Sequence, residues 1–265
     1  MASPPADVTG RISAVLRALS GFPQRGASTT EIARASGLAR PTAHRLLSAL
    51  DEHGYVDRDR ASGRWFLGPE LYLLGEVAAQ RYDVTEQARA GVRRLAEATG
   101  ESAFFSAHRG GETVCLLRED GDFPIRSFVL YEGARFPLGV VSAGLVVLAM
   151  LPDAEVDAYL GRTDLAAEWG EAHDEAAVRE RIASTRRSGY SVNPGLVVEG
   201  SWGMAAAVFD RHGRPSWAFT ITGIESRFRA SRRPHLGTLL LKEAHQLTKQ
   251  IQSGGGKGLT APLAP

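Results

Sequence analysis

STTEIARASGLARPTAHRLLSALDEHGYVDRDRASGRWFLG, residues 28–68, decides how the first part of the chain folds. Ser28-x-x-Glu31 has the form of a capping box, in which two residues three apart satisfy each other's first-turn amides, so a helix is expected to start here and to stop at Gly37. Pro41 suits the first turn of a following helix, because the amide proton it lacks would be unpaired there anyway, and that helix runs to about His53, before Gly54. Ala33 is small where the two helices must cross, and Gly37 permits the turn. Ile32, Leu38, Leu46 and Leu47 supply buried faces. Residues 55–58 and 64–67 then read as two short strands joined by the turn-rich Asp59-Arg60-Ala61-Ser62-Gly63. Helix, turn, helix and a two-stranded wing follow in order.

That order is the reading for DNA. Arg34, Arg40 and Arg45 stand in a stretch with no acid between Arg34 and Leu50, so the element is locally positive. A recognition helix presents its first turns to base edges in the major groove. Arg40, Pro41, Thr42, His44 and Arg45 are therefore the candidate DNA contacts, with Ala43, Leu46, Leu47 and Leu50 toward the core. Arg58, Arg60 and Arg64 of the wing are candidates for neighbouring phosphates or the minor groove. A helix pair with arginines alone reads equally well as a solvated bundle; the wing after it favours DNA.

Outward from this motif, Ile12, Val15, Leu16 and Leu19 space an amphipathic helix over residues 11–20, behind a frayed tail at residues 1–7. Helices over residues 70–80 and 84–99 lead away from the wing. From residue 102 the pattern changes to short strands at 103–107, 113–118, 125–130, 204–210 and 217–222, with helices at 143–151, 153–160, 174–188 and 232–252. Antiparallel strands with helices around them imply an α+β domain. The Gly/Pro-rich residues 253–265 read as a disordered tail.

Composition sets bounds. With 265 residues, 43% apolar and 23% charged, the chain has material for two modest cores. The apolar run at residues 139–151 is shorter than the ~20 residues that span a bilayer, and no signal-peptide pattern opens the chain, so a cytoplasmic protein is expected. The net charge of +1 does not by itself indicate a nucleic-acid partner. Three of the 31 basic residues are lysines (Lys242, Lys249 and Lys257); arginine forks suit phosphates, although genomic base composition gives the same bias. Cys115, the single cysteine, excludes an internal disulfide and reads as a buried thiol in an apolar strand. The histidines never adopt a metal-ligand spacing, and Gly254-Gly255-Gly256-Lys257 follows a helix and precedes Gly258, unlike a phosphate loop. No metal or cofactor is expected, and no catalytic residues are assigned.

The run from Thr29 to Gly68, with its glycine-bearing turn, Thr-x-His-Arg-Leu-Leu helix and arginine-to-glycine wing, resembles the winged helix-turn-helix of the IclR family of bacterial transcriptional regulators. Residues 137–151 (PLGVVSAGLVVLAML), 181–192 (RIASTRRSGYSV) and 203–224 (GMAAAVFDRHGRPSWAFTITGI) are similar to that family's effector-binding domain, in the same order. The resemblance covers about residues 8–252. It implies a winged helix-turn-helix at 8–68, a helical linker at 69–83, a GAF-like mixed α/β effector-binding domain at 84–252, and the tail at 253–265. It further implies a regulator that binds double-stranded operator DNA as a homodimer, or as a tetramer built from it, without a membrane.

The resemblance places the effector on Ser142 and Ala143, on Asn193 after the strand of Tyr190, and on Gly203, Thr220 and Thr222. Elementary chemistry agrees: helix-start amides near Ala143 and Gly144 favour a carboxylate, and Thr220 and Thr222, two apart on a strand, present hydroxyls on one face. Leu130, Val141, Trp202 and Met204 are expected as apolar wall. Where the family commonly has an acidic pair this chain has Gly195-Leu196, and where it has a lysine this chain has Leu145. Both departures are apolar and favour an aromatic or otherwise bulky organic acid. The threonines also read simply as strand formers, and Ser142 as a helix cap. The alternative class is an enzyme or ligand-storage protein with a helical interaction module, which would not bind its own upstream DNA selectively.

Overall fold

Ser28 and Glu31 form the capping box: the Glu31 amide donates to Ser28 Oγ at 3.3 Å and the Ser28 amide to the Glu31 carboxylate at 2.8 Å, starting α2 (Thr29–Ser36). Gly37 ends this helix at φ 67°, a left-handed conformation open to a residue without Cβ. Upstream, α1 (Val8–Ser20) is capped by Asp7, whose carboxylate accepts the Gly10 amide. Downstream, α3 (Arg40–Glu52) carries Pro41 in its first turn. The three helices close on Val15, Leu19, Ile32, Leu47 and Leu50, joined by Val56 and Trp65 of the wing strands β1 (Val56–Arg58) and β2 (Trp65–Leu67). Each such side chain contributes roughly 1.5–3 kcal/mol by leaving water. The wing strands pair antiparallel, and α4 (Pro69–Ala79) follows.

The computed structural model describes residues 7–79, 84–126 and 128–253, and the chain falls into two compact units, Met1–Asp83 and Val84–Pro265. Most of the expected N-terminal frayed tail, the last residues of the expected linker and the C-terminal segment from residue 254, Gly254-Gly255-Gly256-Lys257 included, lie outside the described residues.

The second unit is built on six strands: β3 (Ser102–Arg109), β4 (Glu112–Glu119), β5 (Arg135–Pro137), β6 (Tyr190–Pro194), β7 (Ser201–Phe209) and β8 (Pro215–Ile224). Their order is β5-β4-β3-β8-β7-β6, every neighbour antiparallel. Strand periodicity divides β7 and β8 between two cores. Met204, Ala206, Val208, Phe219 and Ile221 pack with α5 (Val84–Thr99) and α10 (Arg233–Ser253). Ala205, Ala207 and Ala218 lie in a second core, with α6 (Ser142–Met150), α7 (Asp153–Leu160) and α9 (Glu175–Ser188); α8 (Ala166–Trp169) is a single turn between the last two. Small side chains on that face let α6 lie close to the sheet.

Two expectations are corrected. Among residues 125–130, rich in β-formers, none of the described ones lies in a strand, and Ile125 and Phe128 are exposed. The edge position beside β4 is taken by β5, because the Gly133 amide donates to the Cys115 carbonyl and the Cys115 amide to Ala134, steering residues 135–137 into register with Val114, Thr113 and Glu112. β-propensity without a partner edge did not decide. Asn193, expected after a strand, lies within β6.

Candidate DNA-reading surface and ligand cavity

α3 presents its start to solvent. Its N-cap, Ala39, has no side-chain acceptor for the first-turn amides, and no acidic residue stands in that turn. A helix start in this condition favours an anion such as a DNA phosphate. Arg40, Pro41, His44 and Arg45 are exposed and Thr42 is half-buried, while Ala43, Leu47 and Leu50 are buried and Leu46 half-buried.

Trp65 ties this helix to the wing. The side chain is 1% exposed, and its indole Nε1 donates to Thr29 Oγ1 at 3.0 Å. The Arg58 guanidinium stands 5.2 Å from its ring centroid, and the His44 ring meets it edge-on at 6.5 Å. One buried ring therefore orders a recognition-helix side chain and a wing side chain together. Sequence reading missed this role; the available signal was a tryptophan opening a wing strand beside arginines.

The wing arginines divide. Arg60 is exposed beside the turn that Asp59 organises by accepting the Ala61 and Ser62 amides and the Ser62 hydroxyl. Arg64, a candidate for neighbouring phosphates or the minor groove, donates to the Arg25 and Gly26 carbonyls and lies 2.8 Å from the Glu31 carboxylate. Glu31 also holds Arg25 at 2.7 Å. The Ser28 amide, then Arg25 and the Ser28 hydroxyl, hold the Glu31 carboxyl down to about 2. Arg64 thus clasps the wing to the start of α2, and of the arginines named as DNA contacts Arg40, Arg45, Arg58 and Arg60 are exposed.

In the second unit, a narrow cavity of about 30 Å³ brings together Ser142, Ala143, Asn193, Gly203, Thr220 and Thr222 with the apolar Leu130, Val141 and Trp202. Val129, Val197 and Ser201, not anticipated, complete the wall. No lining residue is charged. β-register assembles the floor, pairing Gly203 with Thr222 and Ala205 with Thr220. The Thr220 and Thr222 hydroxyls are buried with no hydrogen-bond partner in the protein. The start of α6 borders the same space, and its N-cap, Val141, has no side-chain acceptor. Gly203 admits Ser142: a Cβ there would lie 2.7 Å from Ser142 Oγ.

Asn193 acts as a brace. Its Nδ2 donates to the Val140 carbonyl at 2.7 Å and its Oδ1 accepts the Leu196 amide at 3.0 Å, fixing the chain around the cavity. Buried His173 approaches the same Val140 carbonyl at 3.3 Å and the Trp169 carbonyl at 3.0 Å; burial pulls its imidazole below the ordinary value despite both contacts. Met204, expected as wall, lies on the opposite sheet face. Burial pushes the Cys115 thiol up to about 12, removing it from nucleophilic chemistry.

Residues 8–60 match the IclR helix-turn-helix domain and residues 76–249 the bacterial transcriptional regulator IclR C-terminal domain. The glycerol operon regulatory protein of Streptomyces coelicolor is 31% identical, over 92% of this chain and 96% of its own. The transcriptional repressor IclR of Escherichia coli is 26% identical, over 92% and 91%. Among solved structures, Thermotoga maritima IclR superposes with a TM-score of 0.71 at 21% identity, covering 92% of this chain and 98% of that one. An IclR homolog from Microbacterium hydrocarbonoxydans, complexed with 4-hydroxybenzoate, gives 0.73 at 20% identity over the same shares.

Proposed function

The chain belongs to the IclR family of bacterial transcriptional regulators, and from that premise we propose that Arg40, Thr42, His44 and Arg45 read operator DNA while the second unit senses a small organic acid. Pro41 starts the reading helix, and Arg58 and Arg60 hold phosphates beside it. The uncapped start of α3, between exposed Arg40 and Arg45, supports this assignment.

The observation that carries the sensing half is the pair of unpartnered Thr220 and Thr222 hydroxyls in an uncharged cavity at an uncapped helix start. Amides of α6 receive a carboxylate, the hydroxyls of Ser142, Thr220 and Thr222 bind its polar oxygens, and Leu130, Val141 and Trp202 cover the apolar body. An aromatic acid suits this division, and 4-hydroxybenzoate in a related structure is of that class.

The active species is a homodimer. Tyr72, Leu73, Leu74 and Val77 of α4 are exposed, with Tyr72 68% and Val77 66% accessible, an apolar helix face that favours a second copy. Pairing two recognition helices matches half-sites about 34 Å apart, and the effector acts by binding the competent and incompetent arrangements unequally. Among the described residues no helix is long and apolar enough to cross a membrane.

The test is a titration of the chain on its own upstream DNA with competitor DNA at physiological salt. Arg45→Ala should weaken operator binding by about 1–3 kcal/mol and leave ligand-induced thermal stabilisation intact. Unchanged operator affinity and selectivity would overturn the reading of α3. Sedimentation of the wild type and of Leu74→Glu tests the dimer; identical masses for both remove α4 from the interface.

A further inference from the structure

We propose that the second unit carries another ligand site, for a small anion bearing a phosphate or carboxylate group, in the cleft of about 300 Å³ where α9, the edge strand β6 and the start of α10 meet. Arg181, Ser184, Ser188, Tyr190 and Arg233 supply its polar walls, and no acidic side chain lines it. Arg181, Ser184 and Ser188 fall on one face of α9 by their spacing of three and four residues.

Charge pairing elsewhere makes this cleft unusual. On α9, Arg179 is matched with Glu175 and Asp157 and Arg186 with Asp153, while Arg187 is exposed to water. In the segment before α10, Arg227 and Arg232 share Glu101. Among the described residues Arg181 and Arg233 form no ion pair, although both are half-buried and Arg181 lies within the fields of Asp174 and Glu180, and Arg181 Nη2 and Arg233 Nε are buried without a hydrogen-bond partner. Arg181 is held in place by donating Nη1 to the Ala172 carbonyl at 2.5 Å. A desolvated guanidinium lacking a carboxylate is costly, and an anion with two or three acceptor oxygens relieves two of them at once through planar N–H pairs.

The cleft also touches the proposed effector cavity. The Arg233 guanidinium stands 5.4 Å from the Trp202 ring, and Trp202 lines that cavity. An anion that engages Arg233 draws charge from the face of the ring, so occupancy of one site alters a wall of the other.

Inorganic phosphate, and separately acetate, titrated into the full chain at ionic strength held constant with sodium chloride, tests the site by calorimetry and thermal unfolding. Saturable binding is expected, weakened at least tenfold in Arg181→Gln and in Arg233→Gln and retained in Arg187→Gln, an exposed arginine on the same helix, and in Arg45→Ala on the DNA-reading surface. Arg181→Lys and Arg233→Lys, which keep the charge and lose the fork, serve if the glutamine variants do not fold, with the same weakening expected. A phosphate-dependent change in tryptophan emission, abolished by Trp202→Phe, reports the coupling. No saturable binding, or binding indifferent to both cleft arginines, overturns the proposal and leaves the effector cavity untouched. Phosphate binding without acetate binding assigns the site to phosphorylated ligands, and binding of both extends it to carboxylates.

Discussion

Replacing Thr220 and Thr222 together by valine should make the ligand-free protein more stable while removing its response to ligand. Both hydroxyls are buried with no protein partner, on neighbouring positions of one face of β8. A buried donor left unsatisfied costs about 1–3 kcal/mol, and valine keeps the branched shape while discarding the polar atom. Strand propensity does not oppose the change. Because the two sites are close enough to couple, the double variant is expected to gain about 2 kcal/mol, short of twice the single value. For a domain of this size each kcal/mol moves Tm by roughly 2–4 °C, so scanning calorimetry without ligand should record a rise of about 4–8 °C. At a ligand concentration of about 100 Kd the wild type gains roughly 2.7 kcal/mol more, and the variant almost none. A ligand-free Tm that falls or stays put would refute the reasoning, since the hydroxyls would then be holding the fold instead of awaiting a ligand.

Three further outcomes follow from other sites. Trp65→Phe removes the bond to Thr29 and part of the ring shared by Arg58 and His44; it should cost about 1–3 kcal/mol in stability and weaken operator binding several-fold, about 1 kcal/mol, by fluorescence anisotropy. His173 is held below its ordinary value of 6.5 by burial, so its contribution to stability is complete above that pH and is lost as pH falls toward the folded value. Tm should therefore decline as pH falls below about 6.5, with a flatter profile in His173→Gln. Cys115 should resist iodoacetamide at about pH 8 until denaturant is added; rapid labelling of the native chain would contradict a thiol pushed up to about 12.

The parts of this molecule that were legible in sequence are those determined within a few residues. The Ser28–Glu31 box, the turn at Gly37 and Pro41 in the first turn of α3 depend on neighbours alone. Trp65 and Arg64 were not legible in role, because their partners Thr29 and Glu31 lie more than thirty positions away. The strand expected among residues 125–130 rested on β-propensity alone, whereas the pairing beside the start of β4 is made by β5, a segment its local sequence did not single out. The residues placed around the cavity come from α6, β6, β7 and β8, joined by strand register and by the long-range bonds from Ser191 to Ser142 and from Asn193 to Val140. Met204 shows how narrow that constraint is, since one step from Gly203 carries a side chain to the opposite face.

The alternation along β7 and β8 has a consequence for how such a protein can change. Gly203, Ala205, Thr220 and Thr222 share one face, while Met204, Ala206, Phe219 and Ile221 hold the core on the other. Ligand preference and folding are thereby written in interleaved letters of the same two strands. A library diversified at Thr220 and Thr222, with Gly203 and Ala205 kept small beneath α6, can drift toward new effectors while every second residue preserves the scaffold, so descendants of one ancestor can acquire different inducers without relearning how to fold.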